Sequence, residues 1–513
     1  MALPNITFIK GQGGLGRALP GQDYISGVLF FCDDADLPSG FTTTARNKAL
    51  YSVADAETAG ILDDYSDATA STATFEVTAV GANGDTFKLT VADLNTATGA
   101  SQTTELFLVE KTASETTVTL LAVKIKNAIN AGTQTHGYSA TNSTGTVTIT
   151  APKSMGVYLN SGTPYVKTIV GTATATLTQN VVTGVASLQA VWHYHISEFF
   201  RMQPKGIVYA GFYEIPSTYD FTELSSMQDY AEGKIRQFGI YKDDSAFATA
   251  DLTAIQDVAD TEDTNKRPFS AMYAGDLSAT SDISTLTDLS TFADNKASAI
   301  ITQDGGGLGN FLWLTTGKSI SNLGALLGTV ALAKVSDSIA WVGQFNISNG
   351  SECEVINWSN GDATNTASSS LLESLNNKRY IFLKKFTGYS GSFFNDSHTA
   401  IAQSSDYAYI ENNRTIDKAT RVLYLAYIPY LNSPISLNAD GTLTDNQVAS
   451  LESVGQVALD AMLRAEEVSA TLVQIDPSQN ILATSELVIA VTLVIKGVAR
   501  YITIPIGFKP NIS

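Results

Sequence analysis

Four short apolar runs, IVYAGF (207–212), FGIY (238–241), FSAMYA (269–274) and SAIIT (298–302), set the strongest constraint on this chain. Their starts recur about 31 residues apart, the length of a strand-helix-strand unit. The intervals carry helix signals. Asp220 with Glu223 spells a capping box ahead of Leu224, Met227 and Ala231, and Ile283, Leu286, Leu289 and Phe292 fall at helical spacing. Such alternation implies a mostly parallel sheet covered by helices, joined by right-handed crossovers, so the expected core is α/β.

Residues 67–186 break the rhythm. They hold no Trp or Cys and are dominated by Thr, Ala, Val, Ser and Gly, which predicts an inserted β-rich domain. FEVTAV and DTFKLTV alternate at period two, with Phe87, Leu89 and Val91 on one face, and Asn83-Gly84 between them predicts a tight hairpin. TVTITA (146–151) alternates likewise, threonines outward. One helix is predicted where Val118, Leu121, Ile125 and Ala128 form a stripe ended by Gly132. Beyond residue 376 the pattern is α+β. A helix begins near IENNRTIDKATRVLYLAYIPYL, and a second starts at Thr444, which with Gln447 forms a capping box before Val448, Leu451, Val454, Ala458 and Met462. Two strand-like runs, LVIAVTLVIKG and ARYITIPIGF, close the chain. The expected division is 1–23, an arm with a glycine hinge; 24–66, the first part of the core; 67–186, the insertion; 187–375, the α/β core; 376–486, a C-terminal α+β domain; and 487–513, a strand arm.

A length of 513 residues allows about three domains with cores of their own. The net charge of -19 disfavours nucleic acid and anionic lipid as partners. Cys32 and Cys353 are too few for a disulfide framework, which points to a reducing compartment. The start MALPNITFIKGQGG lacks the basic and long apolar regions of a leader, and LVIAVTLVI (487–495) is too short to span a bilayer, so the expectation is a soluble, leaderless chain without membrane insertion.

Several motifs resemble chemical sites and lack a required part. Gly11, Gly13 and Gly16 spell a dinucleotide fingerprint, but Pro20, Gly21 and Gly27 occupy the place of the helix that would hold the pyrophosphate. The glycines, Gly14 among them, read instead as a hinge behind the short strand 6–10. Gly317-Lys318-Ser319 lacks the first Walker glycine, since Leu312 stands there, and a helix cap by Ser319 or Ser321 is expected. His193 and His195, with Glu198, lie two apart on a helix, so their imidazoles project about 200° apart and cannot share a metal. His195 is expected as a packed, hydrogen-bonded core histidine among Leu188, Val191, Phe199 and Met202. In NADGTLTDNQ a calcium register would put Ser436 first and Gln447 where a bidentate Glu is required, so a turn into a capped helix is expected. No catalytic constellation emerges, and the expectation is a non-enzyme without cofactor or metal. Lys378, Arg379, Lys384 and Lys385, with Arg414, Lys418 and Arg421, form a basic concentration that is either a solvated face or a contact for an acidic protein.

Three stretches resemble one family: IKGQGGLGRALPGQDYISGVLFF, HISEFFRMQPKGIVYAGFYE, and the ending YAYIENNRTIDKATRVL with LATSELVIAVTLVIKGVARYITIPIGF. They are similar to contractile tail sheath proteins of phages and related injection machines. The resemblance implies a structural subunit that stacks as rings around an inner tube, with terminal arms pairing with neighbours as added strands. Partners would be further copies of itself, the inner tail tube protein, and baseplate and tail terminator proteins. Its place would be the virion tail or injection particle, assembled in the bacterial host cytoplasm. The arms would be Ile6, Thr7, Phe8 and Ile9 at one end and Leu487, Ile489, Val491, Leu493, Tyr501, Ile502 and Ile504 at the other. Lys384, Lys385, Arg414 and Lys418 would be tube contacts, and 67–186 a variable outer domain. The competing expectation of another class is a surface-layer or adhesin-type structural protein, which the Thr-rich insertion would suit.

Overall fold

The computed structural model of the protein describes residues 22–508. Its largest sheet has six strands: β1 (Ile25–Phe31), β2 (Asn47–Leu50), β3 (Ile207–Tyr213), β4 (Gln237–Ala246), β5 (Ser270–Asp276) and β6 (Ala297–Ala299), in spatial order β6-β5-β4-β1-β3-β2. All neighbours run parallel except β2, which is antiparallel to β3. Every residue of β1 is buried. Its period of two sends Val28 and Phe30 into one apolar layer and Ile25, Leu29 and Phe31 into the other. Burial of each such side chain contributes about 1.5–3 kcal/mol.

The first layer is filled by α1 (Leu188–Met202) and α2 (Leu323–Leu332). Gly324 and Gly328 let the two helices touch: a Cβ would stand 2.1 Å from the His195 carbonyl oxygen and 2.6 Å from that of Phe199. A side chain at either position would force the helices apart. The start of α1 is secured by two groups. The Ser187 hydroxyl accepts from the Ala190 amide at 2.9 Å, and the Asp67 carboxylate accepts from the amides of Leu188 at 2.9 Å and Gln189 at 3.1 Å.

Residues 72–182 build two antiparallel sheets of their own, one of four strands and one of three, around a cluster that includes Phe75, Phe87, Leu89, Leu121, Ile125, Val147 and Ile149. Helix Val118–Ala131 ends at Gly132, as its stripe predicts. The insertion's two connections to the core run side by side, since Thr69 and Val185 exchange backbone hydrogen bonds of 3.1 and 3.0 Å. The core helix Leu308–Thr316 contributes Phe311 to the same cluster.

The structure corrects several local expectations. FEVTAV and DTFKLTV do not form a hairpin. Thr72–Ala79 pairs with Thr146–Thr150 and Thr174–Val182, whereas Thr86–Leu94 pairs with Ser101–Glu110 and Tyr165–Val170. The chain at Asn83-Gly84 therefore passes between sheets, because more distant strands offer both edges a partner. The stripe Ile283, Leu286, Leu289, Phe292 is no α-helix but two 3-10 turns, Ile283–Thr285 and Leu289–Thr291. In each, an aspartate (Asp282 or Asp288) accepts the amide of the serine two residues on at 2.9 Å. That side-chain bond competes with the helical one. Asp220 caps nothing at Glu223: its carboxylate takes the Thr222 amide at 3.1 Å, and helix Glu223–Tyr230 begins after Thr222. SAIIT splits, with β6 in the main sheet and Thr302–Asp304 paired to Ile356–Trp358. Ser319 and Ser321 cap no helix. Gly317, at φ +69°, ends Leu308–Thr316, and Ser319 instead accepts the Leu277 amide at 2.8 Å. His195 is buried and neutral, held at about 3 by desolvation, and neither ring nitrogen has a hydrogen-bond partner among the described residues.

Candidate assembly interface

The C-terminal part is a layer built on two long helices and two strands: α3 (Ile410–Tyr427), α4 (Asp445–Arg464), β7 (Val468–Gln474) and antiparallel β8 (Ala490–Ile495). The predicted capping box is present, with Thr444 accepting from the Gln447 amide. The deepest residues of α4 are Leu451, Gly455, Leu459 and Met462, one position round from the expected Val454 and Ala458. Gly455 sits where it does because the Tyr427 hydroxyl would lie 2.4 Å from a Cβ there. Preceding residues 380–401 pack into the two core layers through Tyr380, Ile381, Phe382, Leu383, Phe394 and Ala400.

Helix α3 is a polar spine that grips the chain near both ends. Asp23, the second residue described, is held by Lys418 at 2.6 Å and Arg421 at 2.9 Å, while Arg414 donates to its backbone carbonyl at 3.3 Å. Burial raises the Asp23 pKa, but Lys418, Arg421 and Arg414 outweigh it, so the carboxyl stays below its usual range. One turn before Arg414, Glu411 receives Arg500 at 2.6 Å; Arg500 also reaches Asp396 at 2.9 Å and lies over the Tyr409 ring, 3.4 Å from its centroid. Burial raises the Glu411 pKa, and Arg500 partly offsets it. Residues 411, 414, 418 and 421 recur at three- and four-residue spacing, so one helix face carries both clamps. Asp417 is paired with buried Lys296, which fixes α3 to the parallel-sheet core.

From Tyr501 to Phe508 the chain is bare. Residues 501–508 form no strand within the subunit, and Tyr501 is 81% exposed, Ile502 78%, Ile504 72% and Ile506 91%. The expected strand 487–495 begins at Ala490. Leu487 and Ile489 precede it and, with Val491 and Leu493, lie half-buried against α3 and α4, while Val488 and Val494 on the opposite face are exposed beside Leu472 of β7. Thus β7 and β8 form a two-stranded sheet with a bare apolar face and no third strand among the described residues.

The other expected site residues divide. Ile6, Thr7, Phe8 and Ile9, and Gly11, Gly13, Gly14 and Gly16, lie outside the described residues. Arg414 is 4% exposed, and Lys418 is paired with Asp23 and with Glu467, each at 2.6 Å. Lys384 lies 4.8 Å over the Phe386 ring, and Lys385 is exposed beside Glu354 on the hairpin Leu383–Phe386 and Tyr389–Phe394. Burial lowers the Lys384 pKa and nearby Asp396 partly offsets it. Arg500, Glu411, Asp396 and Asp23 escaped the sequence reading. A lone arginine between two apolar runs was the available signal. The strongly shifted acid Asp304, raised to about 7 by burial and by Glu352 beside it, accepts the amides of Gly307 and Cys353 and so secures the start of helix Leu308–Thr316. Among the described residues there is no group of three or more metal-ligating side chains, and no helix long and apolar enough to cross a membrane.

Residues 3–398 match the model of the DUF2586 N-terminal domain and residues 406–513 that of the DUF2586 C-terminal domain, so the chain belongs to the DUF2586 family. No curated protein matches it. Similar solved structures include the anti-feeding prophage helical sheath in its contracted state, at 12% identity over 61% of this chain and 81% of that one, with a TM-score of 0.43. A chain of the six-fold symmetrised anti-feeding prophage baseplate is similar at 12% identity over 62% and 80%, with a TM-score of 0.41. A third, from the contracted baseplate, is similar at 12% over 62% and 84%, with a TM-score of 0.37.

Proposed function

We propose that the chain is a non-enzymatic structural subunit of a contractile tail sheath. Copies polymerise as stacked rings around an inner tube, neighbours are linked by exchanged terminal strands, and the assembly shortens to drive the tube through a target envelope. The partners in this reading are other copies, the tube protein, and baseplate and terminator proteins, in a virion tail or injection particle built in a bacterial cytoplasm.

The observation that carries the reading is the unfinished C-terminal layer. A two-stranded sheet is marginal in water, and its open edges and bare face are a liability that proteins normally cover. A strand from residues 6–10 of a neighbour would supply about five ladder bonds at a net of roughly 0.5–1.5 kcal/mol each. One link is weak, but many repeated around a ring become decisive through multivalency. The α3 clamps on Asp23 and Arg500 give each arm a rigid base, so load on an arm reaches the core through α3 and its Lys296–Asp417 pair. The glycines at 11–16 then supply rotation between arm and body.

Electron microscopy of the purified protein across a concentration series tests this. Hollow tubes or stacked rings are expected, and they should vanish when residues 1–10 are removed. A protein that stays monomeric at every concentration overturns the proposal.

A further inference from the structure

The C-terminal layer holds a second uncovered feature, separate from the strand edges. A groove between the end of α3 and the middle of α4 is lined by Ala426, Pro429, Tyr430, Val454, Val457 and Ala458. Leu425 and Leu431, next to lining residues in the chain, are 68% and 71% exposed. Residues 422–439 contain no Asp, Glu, Lys or Arg, in a chain whose net charge is -19. The segment 501–508, YITIPIGF, is likewise charge-free and uncovered.

We infer that segment 501–508 of one copy lies in the Tyr430–Val457 groove of a second copy. Charge supports self-association through these two elements. Copies each carrying -19 repel, and contact through two uncharged surfaces brings no further like charges together. Chemistry supports the conformation. Pro505 cannot donate to a ladder, which weakens the segment as a central strand, whereas extended proline-containing peptides dock in tyrosine-lined apolar grooves. Reach selects a second copy over the same one. Arg500 is pinned to Glu411, and Ala426 lies fifteen positions further along α3, about 22 Å at 1.5 Å per residue. Eight extended residues span at most about 28 Å, so the apolar segment would be used up in crossing to its own groove. The contact rests on the self-assembling role proposed above but is distinct from strand addition at β7 and β8.

A fluorescein-labelled peptide of residues 498–508 is titrated into the full-length chain, followed by anisotropy and by hydrogen exchange. Saturable binding, with slowed exchange in 424–431 and 450–461, is expected. Val457→Asp, on an exposed position, should weaken it at least tenfold, and Val457→Ile should retain it. With residues 1–10 removed from both, mixing Val457→Asp protein with an Ile504→Asp, Ile506→Asp protein should yield one-to-one heterodimers, since one arm and one groove survive. Absence of peptide binding, binding untouched by Val457→Asp, or protection confined to 490–495 overturns the inference. The last outcome would leave the sheath reading standing with the arm as an added strand, and peptide binding without any tubes would leave the groove contact standing alone.

Discussion

The insertion and the C-terminal layer are both small α+β units, yet they treat apolar surface in opposite ways. In residues 72–182 the two sheets and the helix Val118–Ala131 close on one another: Phe75, Phe87, Leu89, Val147 and Ile149 are fully buried, and threonines take the outer positions of Thr146–Thr150. In the C-terminal layer the helices cover only one face of β7 and β8. More than half of the large apolar side chains left exposed in the described chain lie beyond residue 406. The first unit closes its own core, to which only Phe311 among the fully buried side chains comes from outside residues 72–182. The second leaves open an apolar surface of the kind that marks an interaction site.

Excision should separate the two most sharply. Replacing residues 68–185 with a short flexible linker between the adjoining ends near Thr69 and Val185 should leave a cooperative core that still assembles. Ending the chain at residue 486 should abolish assembly altogether, both read by electron microscopy and calorimetry. Insoluble product from the excision would show that the insertion is not self-contained.

Next in size are two substitutions of similar cost and different reach. Phe75→Ala should destabilise the insertion by about 3–5 kcal/mol, as emptied aromatic sites do, and leave assembly intact. Arg500→Ala strands buried Glu411 and should cost about 3–5 kcal/mol in the C-terminal layer. Hydrogen exchange across 406–508 reads that loss, and it should come with failed assembly. An Arg500→Ala protein that assembles normally would remove the clamp from the account.

Acid should act on the core through two histidines. His195 and His398 are both held at about 3 by burial, below the ordinary 6.5. The unfolded chain therefore binds more protons, so their contribution is full above about 6.5 and is lost as pH falls toward 3. Between pH 7 and pH 5 each should cost about 2 kcal/mol of stability. His195→Leu should remove its share of that slope in denaturant titrations at the two pH values. The smallest effect is expected on the bare sheet face, where Val494→Thr should change stability by less than about 0.5 kcal/mol while reducing self-association in sedimentation.

Patterns that depend on near neighbours were legible. The four apolar runs between 207 and 302 are strands in the parallel sheet or directly beside it, Gly132 ends its helix, and Thr444 with Gln447 starts α4. Each is settled by a hydrogen bond or a burial preference spanning a few residues. The tandem Asp-Ile-Ser-Thr and Asp-Leu-Ser-Thr segments misled because apolar spacing suits a helix while the aspartates' own short-range bonds favour 3-10 turns. What only the tertiary structure decided is who pairs with whom. β1 lies at the centre of the main sheet, between strands that begin at 207 and 237, because the insertion's connections lie side by side and return the chain to the same edge. Arg414, Lys418 and Arg421 read in the sequence as a basic patch, yet the fold aims them at Asp23, nearly four hundred residues away in the chain. Side-chain periodicity records which face of an element is covered, but an ion pair between distant segments leaves no periodic trace, so only the folded chain reveals it.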